Sequence, residues 1–140
     1  MAAGSDTPDL DEAIAAFNRG DYFAAAELFE GALAGAGEEL RGVAGALNQI
    51  SAALHLRFER GGRQAAVNLL SQAMLALDDL KPARGGLDLE RLYAEVSALN
   101  DDIRASPRGE HDGLKYRARI FLERRRAPKI NRLDIGRAKL

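Results

Sequence analysis

The hydrophobic positions of the chain recur at the three- and four-residue spacing of amphipathic helices. In the first such segment, Leu10, Ile14 and Phe17 fall on one helical face. The apolar stripe of a second segment lies at Tyr22, Ala25, Ala26, Phe29, Ala32 and Leu33. Between them, Gly20 suits the positive φ that ends a helix and Asp21 suits the cap of the next one. The two segments therefore predict an antiparallel αα-hairpin.

The same pattern returns 41 residues later in the chain. The segment 61–74 matches the segment 20–33, with Gly61 at the position of Gly20. One helical hairpin cannot bury its apolar face alone, so repeated hairpins usually stack. We therefore expect two successive helical hairpins.

The periodic segments and the residues that interrupt them predict five helices. These helices span about 8–19, 22–34, 38–60, 63–80 and 88–104. Thr7 or Asp9 is expected to cap the first helix. Gly42 and Gly45 lie inside the third helix and each cost about 1 kcal/mol relative to Ala. Their presence predicts that another helix crosses closely at that point, and residues 81–86 are expected to form a loop.

The pattern changes after residue 106. Residues 115–122 partly alternate polar and apolar side chains, which fits either a short strand or a last helix. The chain from Pro128 onwards is expected to be extended. We predict an all-α fold, a compact bundle of about five helices built from two αα-hairpins. Its helical-hairpin domain would span 1–105, and a basic C-terminal extension, docked or flexible, would span 106–140.

Composition narrows the classes of function. A chain of 140 residues is long enough for one hydrophobic core. The absence of cysteine excludes disulfides, thiolate metal sites and cysteine nucleophiles. The chain has no signal-peptide pattern and no apolar stretch of about 18 residues, so we expect a cytoplasmic protein without a membrane partner. No phosphate-cradling loop is present, and no cofactor is expected.

The net charge of -1 conceals a strong asymmetry along the chain. Residues 1–103 carry 8 Lys or Arg against 17 Asp or Glu, a net charge of -9, and residues 104–140 carry 12 against 4, a net charge of +8. This split indicates either an arm that binds a polyanion or a basic tail that folds back on its acidic body. In the first case, nucleic acid would stack on Tyr116 and Phe121. The phosphate contacts would be Arg124, Arg125, Arg126, Lys129 and Arg132.

The helical segments resemble two known families. The hairpin from Gly20 to Leu33 resembles the second half of a tetratricopeptide repeat, although the 41-residue offset is longer than the period of that family. Residues 10–104 resemble more closely the small bacterial helical proteins of domain-of-unknown-function family 309. This second resemblance is carried by the segment 17–23, by Gly61-Gly62 and by four polar residues: Glu27, Glu30, Asn48 and His55.

The resemblance to family 309 implies a compact helical bundle with no established activity. It also implies that Glu27, Glu30, Asn48 and His55 belong to a shared polar cluster. The chain departs from the family pattern at three positions, where the family has His, Trp and Gln. These positions are Ala26, Leu33 and Ala44.

The polar cluster has a chemical and a structural interpretation. Glu27 and Glu30 face similar directions because they lie three residues apart on a helix. Together with His55 they could hold a divalent metal ion or share acid–base work. Alternatively, Glu27 pairs with Arg41 or Arg57 between helices, and His55 caps a helix or forms a hydrogen bond within the bundle. The structural interpretation is favoured, and it predicts no catalytic residue and no metal site.

The sequence as a whole favours a non-enzymatic module for protein–protein interaction. Its groove would lie between the two hairpins, with Tyr22, Phe23 and the exposed side of the third helix as contacts. The partner would be an unidentified protein or a second copy of the chain. The alternatives are a metal-dependent enzyme or metal-binding protein that uses the polar cluster, and nucleic-acid binding through the basic C-terminal segment.

Overall fold

Helices dominate the part of the chain that the structure describes. The computed structural model describes residues 10–106 and 113–133. Its helices are α1 (Asp11–Asn18), α2 (Tyr22–Gly35), α3 (Glu38–Arg60), α4 (Gln64–Leu80), α5 (Leu89–Arg104) and α6 (Leu114–Arg125). Two short antiparallel strands, β1 (Ala83–Arg84) and β2 (Leu87–Asp88), form the sheet of the described residues. Since 76% of these residues are helical, the predicted all-α bundle is confirmed.

The two glycines of the 41-residue repeat have the same structural role. Gly20 ends the first helix with a φ of 89°, and Gly61 ends α3 with a φ of 72°. The Asp21 side chain accepts a hydrogen bond from the Ala24 N–H, so it caps α2 as predicted. Helices α1 and α2 pack as one hairpin and α3 and α4 as the next, and α2 lies against α3 where the two hairpins meet.

Most predicted helix boundaries agree with the structure. The bounds of α3 agree at both ends, and α2, α4 and α5 differ from prediction by one residue at one end. The predicted caps of the first helix, Thr7 and Asp9, lie outside the described residues. The predicted loop at 81–86 contains β1 and the turn into β2. None of the described helices is both long and apolar enough to cross a bilayer.

The C-terminal segment packs on the bundle through a helix and a short irregular stretch. Residues 115–122, which fitted a strand or a helix, belong to α6. Beyond α6, the Asn18 side chain both donates to the Ile130 carbonyl and accepts from the Ile130 N–H, at 3.0 and 2.8 Å. Ile130 is 4% exposed and belongs to the hydrophobic core. A β-bridge between Leu87 and Arg132 continues the contact to the end of the described chain.

A buried ion pair joins α6 to α3. The Arg57 Nε and Nη2 donate to the two carboxylate oxygens of Glu123 at 2.6 and 2.9 Å. The Arg57 and Glu123 side chains are only 2% and 3% exposed. The predicted pairing of Glu27 with Arg41 or Arg57 is wrong, because Arg57 is occupied by Glu123 and Arg41 donates to the Ala36 carbonyl. The acidic partner of Arg57 lies 66 residues away in the chain.

The two glycines inside α3 do not mark a close helix crossing. A Cβ atom at Gly45 would meet no atom within 4 Å. A Cβ atom at Gly42 would touch the tip of the Leu80 side chain at 3.6 Å, an ordinary van der Waals contact. The predicted close approach is therefore wrong, since both positions have room for a methyl group.

We expect Gly45→Ala to raise the free energy of unfolding by about 0.5–1 kcal/mol, because alanine removes the entropic penalty of glycine in a helix. Gly42→Ala should give a similar gain. Urea denaturation followed by circular dichroism measures both variants. A loss of stability in Gly45→Ala would show that the backbone of α3 requires glycine there for its own packing.

Candidate functional site

Helix α3 contacts α2 through His55 and Asn48, two of the four polar residues singled out in the sequence. The ring of Phe23 lies 5.3 Å from the imidazole of His55, with the ring planes tilted by 51°. One turn further along α2, the Ala26 carbonyl accepts a hydrogen bond from the Asn48 amide at 2.8 Å. These contacts advance along α2 while they go backwards along α3, so the two helices are antiparallel. We call this surface the α2–α3 seam and define it by Phe23, Glu27, Glu30, Asn48 and His55.

The two aromatic residues at the start of α2 have opposite environments. Phe23 is 55% exposed, whereas Tyr22 is 3% exposed. The Tyr22 ring packs edge-on against Phe17, with ring centroids 5.3 Å apart, and tilts against Phe58. Burial raises the pKa of the Tyr22 hydroxyl above its usual value, and the nearby Arg124 opposes this shift. Tyr22 is therefore a core residue, and its predicted role as a partner contact is corrected; Phe23 remains on the surface.

The carboxylates of the seam are directed to the outside of the bundle. Glu27 and Glu30 are exposed and follow Phe23 at four and seven residues, on one face of α2. Neither forms an ion pair with any residue that the structure describes. Within residues 10–106 and 113–133, no group of three or more His, Asp or Glu side chains could hold a metal ion. The seam therefore offers two carboxylates and one aromatic ring to an external partner.

Most of the cations proposed for polyanion contact bind the acidic body of the protein instead. Arg124 pairs with Glu59 at 3.1 Å, and Arg126 pairs with Asp102 at 3.4 Å. Two more of the proposed cations, Arg132 and Lys129, also contact the body. The Arg132 guanidinium pairs with Asp11, and the Lys129 Nζ donates to the Asn18 carbonyl at 2.6 Å. Arg125, the fifth cation, lies over the Phe121 ring, with 5.8 Å between the guanidinium carbon and the ring centroid.

A second surface, which the sequence pattern did not predict, lies on the outward side of α6. Its apolar residues are exposed and recur at helical spacing; they are Leu114, Ala118, Phe121 and Leu122. Three exposed cations of the same helix form no ion pair with a described residue: Lys115, Arg117 and Arg125. We call the apolar residues the α6 outer stripe. Helical periodicity would have shown this stripe, but residues 115–122 fitted a strand equally well.

Comparison with known proteins identified no relative. No protein-family model, no curated protein and no solved structure matches the chain. The resemblance to domain-of-unknown-function family 309, and the shared polar cluster that it implies, therefore stay predictions.

Proposed function

We propose that the protein is a non-enzymatic interaction module that binds a segment of a partner protein along the α2–α3 seam. The observation that carries this proposal is the exposed Phe23 ring on His55, beside two carboxylates that pair with no described residue. Aromatic residues are enriched at protein interfaces because one rigid ring buries a large area. We also propose that the protein is located in the cytoplasm.

The chemistry of the seam defines the partner segment. An apolar side chain of the partner would cover Phe23, while Lys or Arg side chains would pair with Glu27 and Glu30. Gly45 lies one turn before Asn48 on α3, and a Cβ atom there would meet nothing within 4 Å. A glycine without a packing role leaves room for a partner to approach the helix backbone. The partner is therefore a basic and apolar segment of a protein.

The two alternative functions have weaker support. A metal-dependent activity would need further ligands beside Glu27, Glu30 and His55, and the described residues bring no such group together. Binding of nucleic acid through the C-terminal segment would have to compete with the ion pairs of Arg124 and Arg126. Neither alternative is favoured by a specific contact.

Selection of random displayed peptides on the purified protein tests the proposal. We expect the selected peptides to combine Lys or Arg with apolar residues and to bind at least about tenfold more weakly to Phe23→Ala, the loss typical of one important interface residue. Gly45→Ala should also weaken binding, because the added methyl group would occupy the space through which the partner is proposed to approach the backbone of α3. Gly42→Ala is the matched control: it makes the same substitution beside Leu80, away from the seam, and should bind normally.

Two results would refute the proposal. One is a selection that returns no peptides, or peptides without basic character. The other is a set of peptides that bind Phe23→Ala and Gly45→Ala as tightly as the original protein, since they would then occupy another surface.

A further inference from the structure

We infer that the partner segment is present in this chain itself: the α6 outer stripe of one molecule docks on the α2–α3 seam of a second copy. The inference rests on the proposed function of the seam and names its partner. It follows from the unusual distribution of apolar and charged residues on α6, from the matching chemistry of the seam, and from the position of the two surfaces in the fold.

Helix α6 buries a charged side chain and exposes three large apolar ones. Its buried residue is Glu123, which binds Arg57 of α3. Leu114, Phe121 and Leu122 are 83%, 60% and 51% exposed. They are three of the six large hydrophobic side chains that are exposed in the described part of the chain. A concentration of exposed apolar residues on one short helix marks a surface that another molecule covers.

The cations of α6 divide according to the side on which they lie. Arg119 and Arg124, toward the body, pair with Glu123 and Glu59 at 3.3 and 3.1 Å. The cations on the outward side form no ion pair with any described residue. These are Lys115, Arg117 and Arg125. The outer stripe is therefore accompanied by positive charge that the body does not neutralise.

The α2–α3 seam is the chemical complement of this surface. It presents the exposed Phe23 ring and the two carboxylates of Glu27 and Glu30, which pair with no described residue. The residues 23–30 extend for roughly 12 Å of helix and the residues 114–125 for roughly 18 Å, so α6 is long enough to cover the seam. Apolar groups would meet apolar groups, and each seam carboxylate would face a cation of α6.

The fold places the two surfaces next to each other on one molecule. Arg124, near the end of α6, pairs with Glu59 of α3 and donates to the Gly20 carbonyl, just before α2 begins. Adjacent complementary surfaces allow a two-fold symmetric dimer, in which each α6 lies on the seam of the other copy. Such a dimer uses both surfaces of both molecules at once and closes without forming a filament.

Analytical ultracentrifugation of the full chain over a concentration series tests this dimer. We expect a reversible monomer–dimer equilibrium that weakens at high salt, because the contacts include ion pairs. Two double variants, Lys115→Glu with Arg117→Glu and Glu27→Lys with Glu30→Lys, should each raise the dimer Kd by about 100-fold or more, since like charges would then meet across the interface. Asp79→Lys with Glu90→Lys reverses two exposed charges on α4 and α5 and should leave the Kd unchanged.

An equimolar mixture of the two interface variants gives the most specific result. In that mixture an acidic α6 meets a basic seam and a basic α6 meets an acidic seam, so a heterodimer should form although neither variant dimerises alone. A monomeric protein at all concentrations, a dimer that resists both reversals, or a mixture that stays monomeric would overturn the inference.

Peptide selection on the Lys115→Glu, Arg117→Glu variant distinguishes the two proposals, because its seam is intact. If basic and apolar peptides bind that seam while the original protein is monomeric, the seam has another partner and only the self-association is wrong. If no peptide binds there either, both proposals fail.

Discussion

Replacing Arg57 by methionine is expected to lower the free energy of unfolding by about 3–5 kcal/mol, the largest effect of any single substitution proposed for this protein. The guanidinium donates to both carboxylate oxygens of Glu123, and the two side chains are 2% and 3% exposed. Without Arg57, the carboxylate of Glu123 remains buried, and Arg119 is its one remaining charged partner among the described residues. Urea denaturation followed by circular dichroism measures the loss.

The double variant Arg57→Met, Glu123→Met is the matched control for this prediction. It should recover most of the lost stability, because neither charge then remains buried and the methionines fill similar volumes. Arg119→Ala should cost less stability than Arg57→Met, since Arg119 is 36% exposed and Glu123 keeps both hydrogen bonds from Arg57 in that variant. The prediction fails if Arg57→Met costs no more than Arg119→Ala.

Gly61→Ala is expected to lower the free energy of unfolding by about 3 kcal/mol. Two effects add at this position. Gly61 has a φ of 72°, and the left-handed conformation costs a residue with a Cβ atom about 1–2 kcal/mol. A Cβ atom at Gly61 would also overlap the hydroxyl of Tyr116 and lie 3.1 Å from the Tyr116 Cζ, so the Tyr116 side chain or α6 would have to move. Urea denaturation followed by circular dichroism measures this loss of stability as well.

The 41-residue repeat supplies the control for Gly61. Gly20 has a φ of 89°, but a Cβ atom there would meet nothing within 4 Å. Gly20→Ala should therefore lower the free energy of unfolding only by the cost of the left-handed conformation, about 1–2 kcal/mol. Combining Gly61→Ala with Tyr116→Phe should recover part of the difference, and a double-mutant cycle with Tyr116→Phe alone isolates the overlap. Equal losses for Gly20→Ala and Gly61→Ala would show that Tyr116 moves aside without cost.

Helical periodicity predicted the positions of several residues of the candidate site. Glu27 and Glu30 were placed correctly on one face of α2, because residues three apart on a helix face similar directions. The same periodicity puts Tyr22 on the apolar stripe with Ala25 and Phe29, and the structure buries all three residues. Tyr22 was proposed as a contact because of its residue type, and the position of the residue on the helix was the better guide. Phe23 lies off that stripe and is exposed.

Elements whose signals are local can be predicted from the amino-acid sequence. The bounds of α3 and the start of α2 follow from glycine and aspartate at the helix ends, since a helix end is governed by residues within one turn of it. The apolar spacing of three and four residues determined which faces of α1 and α2 form the core. The repeated glycines at 20 and 61 likewise predicted two hairpins, because their positive φ is a property of one residue.

Features that depend on residues far apart in the chain follow from tertiary packing and could not be predicted from local patterns. Residues 115–122 form a helix rather than a strand, and this helix buries Glu123 against Arg57, which lies 66 positions earlier in the chain. The basic tail folds onto the acidic body through pairs as distant as Arg132 and Asp11, and charge composition alone left that outcome open. The clearance around Gly42 and Gly45 likewise depends on where α2 and α4 lie. Distances between elements are set by the packing of the whole core, so local sequence patterns do not predict them.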